Sequence, residues 1–361
     1  MIDVVGARRL VTPDGIREDS AVHIEGGRIV AVEPCRGAPD VALLSPGFID
    51  LQVNGHDDVD VATADATGWA RLRRLVRGQG VTSWLPTLIS APPSVLARRL
   101  VDGAWTTESG DGPDTLGLHL EGPYLGEALG AHPDLRHEPI DTAWLAELPS
   151  WVRLMTIGPE RAGAPEAIAR LTARGIVCSL GHTTADAART EAAVEAGASL
   201  FTHAFNASGR LHHREPGALG VALSDDRLCV SLIADGIHVD PRVLRIAWRA
   251  KGPSRVVLVT DATAWRAGRL ADAGVELVDG APRLPDGTLA GSALRMDEAV
   301  RYCVGVVGVD LFDALAAASA NPARVLGLDD RGSITPGRRA DLVALTDDLQ
   351  VERTWVAGVA G

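Results

Sequence analysis

Residues 115–123 read TLGLHLEGP, a short apolar run that stops on a histidine, a glutamate and a Gly-Pro pair. Runs that end on polar residues in this way occur eight times in the middle of the chain. The other seven are LLSPGFID (43–50), VTSWLPTLI (81–89), VRLMTIGPE (152–160), GIVCSLGH (175–182), ASLFTHAFN (198–206), LCVSLIADGIH (228–238) and RVVLVTDAT (255–263). Helical stretches rich in Ala, Arg and Leu lie between most of them. Because parallel strands covered on both faces lack polar alternation, the repeat predicts an α/β fold, a TIM-type (β/α)8 barrel.

The two ends of the chain have a different pattern. AVHIEGGRIVAV (21–32) and QVERTWVAGV (350–359) are short β-like runs, and Gly, Pro and Asp turns separate such runs near both ends. We therefore predict one small β-sandwich domain built from residues 1–44 and 332–361, with the barrel in residues 45–331.

Composition excludes some classes of partner. The net charge is −12, with 35 Lys and Arg residues against 47 Asp and Glu residues, which argues against a nucleic-acid partner. No segment reaches the roughly 18 apolar residues that span a bilayer, and the N-terminal residues lack the pattern of a signal peptide. We expect a cytoplasmic protein with no membrane partner. Its four cysteines form no C-x-x-C pair and are predicted to be free thiols.

Residues that bind metals follow several of the apolar runs. Glu121 follows the third run, His182 the fifth and His203 the sixth. The C-terminal ends of the strands are where TIM barrels place their active groups. One carboxylate and two imidazoles can hold a divalent ion and leave a position open for water, as in catalytic zinc sites. Asp261, after the eighth run, would supply the acid–base group that hydrolysis requires.

Several motifs together carry a resemblance to a known family. They are PGFIDLQVNG (46–55), GLHLEGPYL (117–125), GAHPDL (130–135), SLGHTTA (179–185), THAFNA (202–207), REPGALG (214–220), IADGIHVD (233–240), LVTDATA (258–264) and GTLAGSALRMDEAVR (287–301). In this order they resemble the N-acetylglucosamine-6-phosphate deacetylases of the amidohydrolase superfamily. The resemblance implies metal-dependent hydrolysis of the acetamide of N-acetylglucosamine 6-phosphate, which yields glucosamine 6-phosphate and acetate.

The resemblance also implies roles for single residues. Glu121, His182 and His203 would hold one divalent metal that activates a water molecule. Asp261 would take the proton of that water and later hand it to the leaving amine, which is a poor leaving group until it is protonated. His132 would stabilise the oxyanion. Zinc suits such a site, and iron, manganese or cobalt would also fit.

Substrate contacts follow from the same resemblance. Arg214 and His238 match the phosphate contacts of the family, and a guanidinium group suits phosphate because it engages two oxygens at once. Ala131, Asn206 and Ala207 would complete the substrate site. In the family the arginine loop can reach the neighbouring subunit, so a homodimer is implied.

Three departures from the family pattern leave the exact amino sugar open, one of which is a short loop between Leu125 and Ala131. NASGRLHH (206–213) replaces the usual N-A-M, and ATAWRAG (262–268) replaces the usual A-P-A-G. Trp265 is therefore expected beside the mouth of the substrate site.

The first apolar run poses a separate question about metal number. Gln52 and Asn54 occupy positions where some relatives carry a His-x-His pair for a second metal. Amides are weak ligands beside imidazole, so we predict a single metal, with Gln52, Asn54 and His119 as supporting residues or remnants of a second site. We interpret His56 as a loop histidine paired with its neighbours Asp57 and Asp58, and the alternative is a displaced metal ligand.

Two other functions remain open at this stage. One is an amidohydrolase that acts on a different N-acyl amino sugar or on a cyclic amide. The other is a non-catalytic barrel that senses a sugar phosphate.

Overall fold

The computed structural model describes residues 3–102, 112–270 and 273–361. Within these ranges the first and last strands of the chain form one sheet. The N-terminal strands are β1 (Asp3–Thr12), β2 (Gly15–Glu25), β3 (Arg28–Pro34) and β4 (Val41–Pro46), and the C-terminal strands are β20 (Leu342–Leu345), β21 (Val351–Val356) and β22 (Val359–Ala360). The order across the sheet is β22-β21-β20-β4-β1-β2-β3, so β4 and β20 join the two ends of the chain.

This terminal sheet takes strands from both ends of the chain, as predicted. Its seven strands are hydrogen-bonded into one continuous sheet. β4 pairs in parallel with β1 and antiparallel with β20, and this double pairing makes the sheet continuous. β4 also runs on to Pro46, past the boundary predicted at residue 44. The division of the chain into two domains stays a prediction.

The two faces of the terminal sheet pack against different partners. Leu44 and Leu342 belong to a small apolar core of the sheet itself. Their neighbours Leu43 and Val343 belong to the large core of the barrel. Because successive side chains of a strand point to opposite faces, this alternation docks one face of the sheet on the barrel.

The barrel contains a strand in each of the eight predicted runs, which confirms the predicted fold class. The strands are β5 (Phe48–Val53), β8 (Val81–Ile89), β10 (Leu118–Glu121), β11 (Val152–Ile157), β12 (Val177–Leu180), β13 (Leu200–Phe201), β14 (Cys229–Leu232) and β15 (Val256–Leu258). They pair in parallel and in chain order from β5 to β15. Nearly every residue in them is buried, as expected for strands covered on both faces.

The first and last barrel strands meet just beyond their ends and nearly close the barrel. Val53 and Ala262 form a parallel bridge. The backbone N–H of Asp261 donates to the carbonyl of Gln52 at 3.0 Å, and that of Asn54 donates to the carbonyl of Ala262 at 2.8 Å. Closure therefore places the polar residues that follow β5 beside those that follow β15.

Helices cover the outside of the barrel, and short hairpins lie at its rim. The helices are α1 (Ala66–Arg77), α2 (Pro93–Asp102), α3 (Thr142–Glu147), α4 (Ala164–Ala173), α5 (Ala187–Glu195), α6 (Gly217–Ser224), α7 (Pro241–Lys251), α8 (Met296–Tyr302), α9 (Leu311–Ala318) and α10 (Ala320–Val325). The short strands are β6 (Gly55–His56), β7 (Val59–Asp60), β9 (Asp114–Thr115), β16 (Arg269–Leu270), β17 (Ala273–Gly274), β18 (Glu276–Val278) and β19 (Ala281–Arg283). The longest described helix, α1, has 12 residues, and none of the described helices is long and apolar enough to cross a membrane.

Docking of the terminal sheet gives a testable prediction for stability. Leu43 is fully buried against the barrel core, so Leu43→Ala should lower the free energy of unfolding by about 2–5 kcal/mol. Val4→Ala on β1 is the control, because Val4 is 51% exposed and its truncation should change that free energy by less than about 0.5 kcal/mol. Denaturant titration of both variants measures the difference. Equal losses would contradict docking through this face.

Candidate active site

A cavity of about 180 Å³ opens at the C-terminal ends of the barrel strands. It gathers most of the residues predicted for the site, namely Asn54, Glu121, Ala131, His132, His182, His203, Asn206, Ala207, His238 and Asp261. Three of them leave their strands in an unusual conformation, since φ is +51° at His182, +29° at His203 and +49° at Asp261. Such backbone is costly for residues other than glycine and persists where the surroundings fix it, often at functional sites.

Glu121 is the centre of the cluster. Its Oε1 lies 2.9 Å from His203 Nε2 and 3.2 Å from His182 Nε2, and its Oε2 lies 3.4 Å from His132 Nε2. Burial alone would raise the pKa of this carboxyl, but the three histidine contacts outweigh burial and hold the pKa well below its usual value. The group is therefore an anion in a buried position, surrounded by imidazoles.

His182 is held as a neutral imidazole with one nitrogen ready to bind. Its Nδ1 lies 3.0 Å from the carbonyl of Ala128 and 3.1 Å from that of Leu129. Carbonyls only accept, so Nδ1 carries the proton and Nε2 presents a lone pair to Glu121. Burial, followed by the nearby His132, lowers the pKa of His182 to about 4. Two acceptors facing each other at 3.2 Å call for a cation between them.

The spacing of these atoms fits two ligands of one ion. Bonds of 2.0–2.1 Å to a tetrahedral ion place neighbouring ligand atoms about 3.3 Å apart. Glu121 Oε1 lies 3.2 Å from His182 Nε2 and 2.9 Å from His203 Nε2. The donor set of one carboxylate oxygen and two imidazole nitrogens is also that of a catalytic zinc site.

Geometry offers two choices for the third ligand. Ligand atoms of Glu121, His132 and His182 lie within 4.8 Å of one another, whereas the sequence predicts His203 in the place of His132. A hydrogen bond separates the two choices. The backbone N–H of Ser90 donates to His132 Nδ1 over a long 3.4 Å, which leaves the proton of a neutral His132 on Nε2. His132 thus faces Glu121 as a donor, an orientation that suits the predicted oxyanion role, and His203 stays the predicted third ligand.

His203 has one nitrogen without a visible partner. Its backbone N–H donates to Ser231 Oγ at 2.7 Å, while Nδ1 is buried and has no hydrogen-bond partner among the described residues. Burial lowers the pKa of His203, but the contact with Glu121 outweighs burial and raises the pKa overall.

Asp261 lines the same cavity as these histidines and is held by two amides. Gln52 Nε2 donates to Asp261 Oδ1 at 3.0 Å and to Glu121 Oε1 at 2.9 Å. Asn54 Nδ2 donates to the same Oδ1 at 2.7 Å. Burial, followed by the charge of Glu121, raises the pKa of Asp261 to about 6. Both amides therefore leave Oδ2 as the oxygen that is free to exchange a proton.

His119 lies below the cavity and does not line it. Its Nδ1 is 3.3 Å from Thr87 Oγ1 and its Nε2 is 2.8 Å from Thr156 Oγ1. Both ring nitrogens are thus occupied by hydroxyl groups, and burial lowers the pKa of His119 to about 4. Its place is a polar contact inside the barrel, two residues before Glu121 on the same face of β10.

The structure corrects the interpretation of His56. This residue is buried in β6, and its acidic neighbours bind arginines instead. Asp57 pairs with Arg71 at 2.7 Å and with Arg266 at 2.9 Å, and Asp58 pairs with Arg71 at 2.8 Å. His56 does not line the cavity either, so the alternative of a displaced ligand finds no support there.

The predicted phosphate contacts are separated in the structure. His238 lines the cavity, and its Nδ1 lies 2.6 Å from Asp235 Oδ2, so its other ring nitrogen remains for another partner. Arg214 is exposed on the loop before α6, 2.8 Å from His213 Nε2, and does not line the cavity of its own chain. Trp265, expected beside the mouth, is half-buried in a short 3-10 helix and does not line the cavity.

Sequence reasoning missed the residues that orient the site. Asp235 could have been found, because it stands three residues before His238 in the same D-G-x-H motif. Ser90 and the carbonyls of Ala128 and Leu129 act through backbone atoms, which leave no signal in side-chain chemistry.

Comparisons with known proteins bear on the family of the chain. A model of the amidohydrolase family matches residues 43–360. An N-acetylgalactosamine-6-phosphate deacetylase of Escherichia coli O157:H7 is 38% identical, with 99% of each chain covered. An N-acetylglucosamine-6-phosphate deacetylase of Homo sapiens is 39% identical, with 95% of this chain and 91% of the human protein covered. The crystal structure of an N-acetylglucosamine-6-phosphate deacetylase from Thermotoga maritima superposes with a TM-score of 0.89 at 33% identity, and 99% of each chain is covered.

Metal analysis of variants tests which histidine is the third ligand. We expect one divalent ion per chain in the wild type, because Gln52 and Asn54 offer amide donors to the carboxylates instead of imidazoles. His203→Ala should weaken the affinity for the ion by more than the roughly 10–100-fold that follows removal of a residue that only hydrogen-bonds to a ligand. His132→Ala is the matched control and should keep one ion. Retention by His203→Ala with loss by His132→Ala would reverse the assignment, and two ions per wild-type chain would contradict the single site.

Proposed function

The chain belongs to the amidohydrolase family, and from this we propose that it hydrolyses the acetamide of an N-acetylated amino-sugar 6-phosphate. N-acetylglucosamine 6-phosphate is the leading substrate, with glucosamine 6-phosphate and acetate as products. One observation carries the proposal, the convergence of three histidines on the buried Glu121 carboxylate in the cavity that Asp261 also lines.

The relatives bear on which sugar is used. The bacterial relative from Escherichia coli O157:H7 is named for the galacto substrate and the human relative for the gluco substrate, at nearly equal identity. The two sugars differ only in the configuration of one hydroxyl group. The chemistry at the acetamide is the same for both, so the reaction class does not depend on this choice.

One divalent ion per chain, held by Glu121, His182 and His203, is part of the proposal. Such an ion, with zinc as the first choice, would polarise the acetamide carbonyl and lower the pKa of a water molecule. The carbonyls of Ala128 and Leu129 keep His182 in the tautomer that can bind. Iron, manganese and cobalt fit the same donors, and the ion that is bound depends on availability.

Asp261 is proposed as the proton carrier. Oδ1 accepts from Gln52 and Asn54, so Oδ2 takes the proton of the attacking water and delivers it to the amine as the C–N bond breaks. A raised pKa of about 6 suits a group that must give back the proton it has taken. His132 donates from Nε2 to the oxygen on which negative charge develops, a contribution that is typically worth about 10²–10³ in rate.

Phosphate recognition is proposed to need a second subunit. His238 faces the cavity of its own chain, with Asn206, Ala207 and Ala131 on the lining, but Arg214 does not. We propose a homodimer in the cytoplasm, in which the loop that carries Arg214 reaches the cavity of the partner subunit. The Arg214 guanidinium is exposed on the loop before α6, where it contacts His213 of the same loop and is accessible to a partner subunit.

Replacement of Asp261 tests the acid–base role. Asp261→Asn keeps the size of the side chain and removes the proton carrier, so kcat should fall by about 10²–10⁴ while the ion stays bound. Acetate release and metal content are measured on the same sample. Asp58→Asn, an exposed change, is the control and should leave kcat unaltered. Near-native turnover of metal-loaded Asp261→Asn would refute the role.

A substrate panel tests the reaction and the alternatives. N-acetylglucosamine and N-acetylgalactosamine are each assayed with and without the 6-phosphate by acetate release. If the site binds the phosphate group, kcat/KM should be at least about 100-fold lower for the unphosphorylated sugars than for the phosphorylated ones. Arg214→Ala should raise KM for the phosphorylated sugars and leave the unphosphorylated ones unchanged. Equal activity with and without phosphate would favour a different amidohydrolase, and no acetate release from metal-loaded protein would favour the sensor.

A further inference from the structure

Glu160 joins two loops of the site without lining the cavity. It follows β11 in the segment GPE (158–160). Its Oε1 accepts from the backbone N–H groups of Glu127 at 3.0 Å and Thr184 at 2.9 Å, and its Oε2 accepts from Thr183 Oγ1 at 2.6 Å. One carboxylate thus ties the loop after β10 to the segment after β12.

These contacts form a closed ring that includes His182. Thr183 and Thr184 directly follow His182 in the chain, and Glu127 directly precedes Ala128. The carbonyl of Ala128 accepts from His182 Nδ1 at 3.0 Å. The ring therefore runs from Glu160 through Glu127 and Ala128 to the imidazole, and back through Thr183. A shift of either loop would move the carbonyls that fix the tautomer and the plane of the imidazole.

Two glycines allow the loop to approach this closely. A Cβ at Gly126 would lie 2.2 Å from Glu160 Oε1, and a Cβ at Gly158 would lie 2.2 Å from the backbone nitrogen of Gly126. The next residue, Arg161, donates to the carbonyls of Leu125, at 3.2 Å, and of Glu138 in the same loop. Glu160 and Arg161 both form hydrogen bonds to the loop after β10, but of the two only Glu160 also bonds to the segment that follows His182.

We propose that Glu160 is a positioning residue that sets the orientation of His182 and thereby the affinity of the site for its divalent ion. The inference rests on the proposed function, because it takes His182 as a ligand. His182 needs such support, since its backbone lies at φ +51° and its ring is oriented by two backbone carbonyls. Partners of metal-binding histidines typically change metal affinity or activity about 10–100-fold when they are removed.

Ion affinity of two Glu160 variants tests the inference without substrate. Glu160→Ala removes all three contacts, so its dissociation constant for the ion, measured by competition with a chelator, should rise about 10–100-fold. Glu160→Gln should stay close to the wild type, because its carbonyl oxygen can still accept and its amide can donate to Thr183 Oγ1. Rescue by this conservative variant separates positioning by hydrogen bonds from a need for negative charge.

Further variants keep the test decisive if Glu160→Ala folds poorly. Thr183→Val removes one donor to Glu160 with little change of volume. Its dissociation constant for the ion should also rise. Arg161→Ala removes contacts to the loop after β10 but not to the segment after His182. Its dissociation constant for the ion should therefore rise less than that of Glu160→Ala. Thermal denaturation confirms that each variant is folded.

The outcomes separate this inference from the proposed function. Wild-type protein that binds no divalent ion would refute the proposed function itself. Wild-type protein that binds the ion, with folded Glu160→Ala and Thr183→Val binding it equally tightly, would overturn the positioning role alone. Loss of affinity in both variants, with rescue in Glu160→Gln, is the expected result.

Discussion

A buried carboxylate surrounded by imidazoles is the interaction on which this protein depends. Glu121 has almost no exposure, and a charge in that position is costly unless donors or a cation compensate it. His132 faces this carboxylate as a donor, while His182 and His203, on other loops of the barrel, hold their Nε2 atoms beside its Oε1. The order of the strands around the barrel therefore brings these residues, which are far apart in the chain, to one buried charge. Where no proton lies between Glu121 and His182, a divalent ion is the partner that the geometry fits.

Two amide side chains donate hydrogen bonds to the carboxylates of the site. Gln52 donates to Glu121 and to Asp261 at once, and Asn54 adds a second donor to Asp261. Two carboxylates that face each other repel, and this repulsion contributes to the raised pKa of Asp261. The amides reduce the repulsion without adding charge, which agrees with a site built for a single ion.

Much of the barrel and of its site could be predicted, because the signals are local. Each apolar run ends on a residue of definite chemistry, so Glu121, His182 and Asp261 could be chosen before their distances were known. The errors concern contacts between distant parts of the chain. Asp57 binds Arg71 rather than the adjacent His56, and Glu160 gave no motif because it acts on backbone groups of two other loops.

By itself, the sequence determined the strand and helix content and the residue types at the strand ends, since periodicity and composition act over a few residues. Only the tertiary structure decided how those ends combine. Closure between Val53 and Ala262 brings Gln52 to Asp261, and the hydrogen bond from Ser90 orients the His132 ring beside Glu121. Pairing of β4 with strands from both termini likewise joins the two ends of the chain into one sheet. The reason is physical, because proton positions and strand partners depend on groups brought together only when the chain folds.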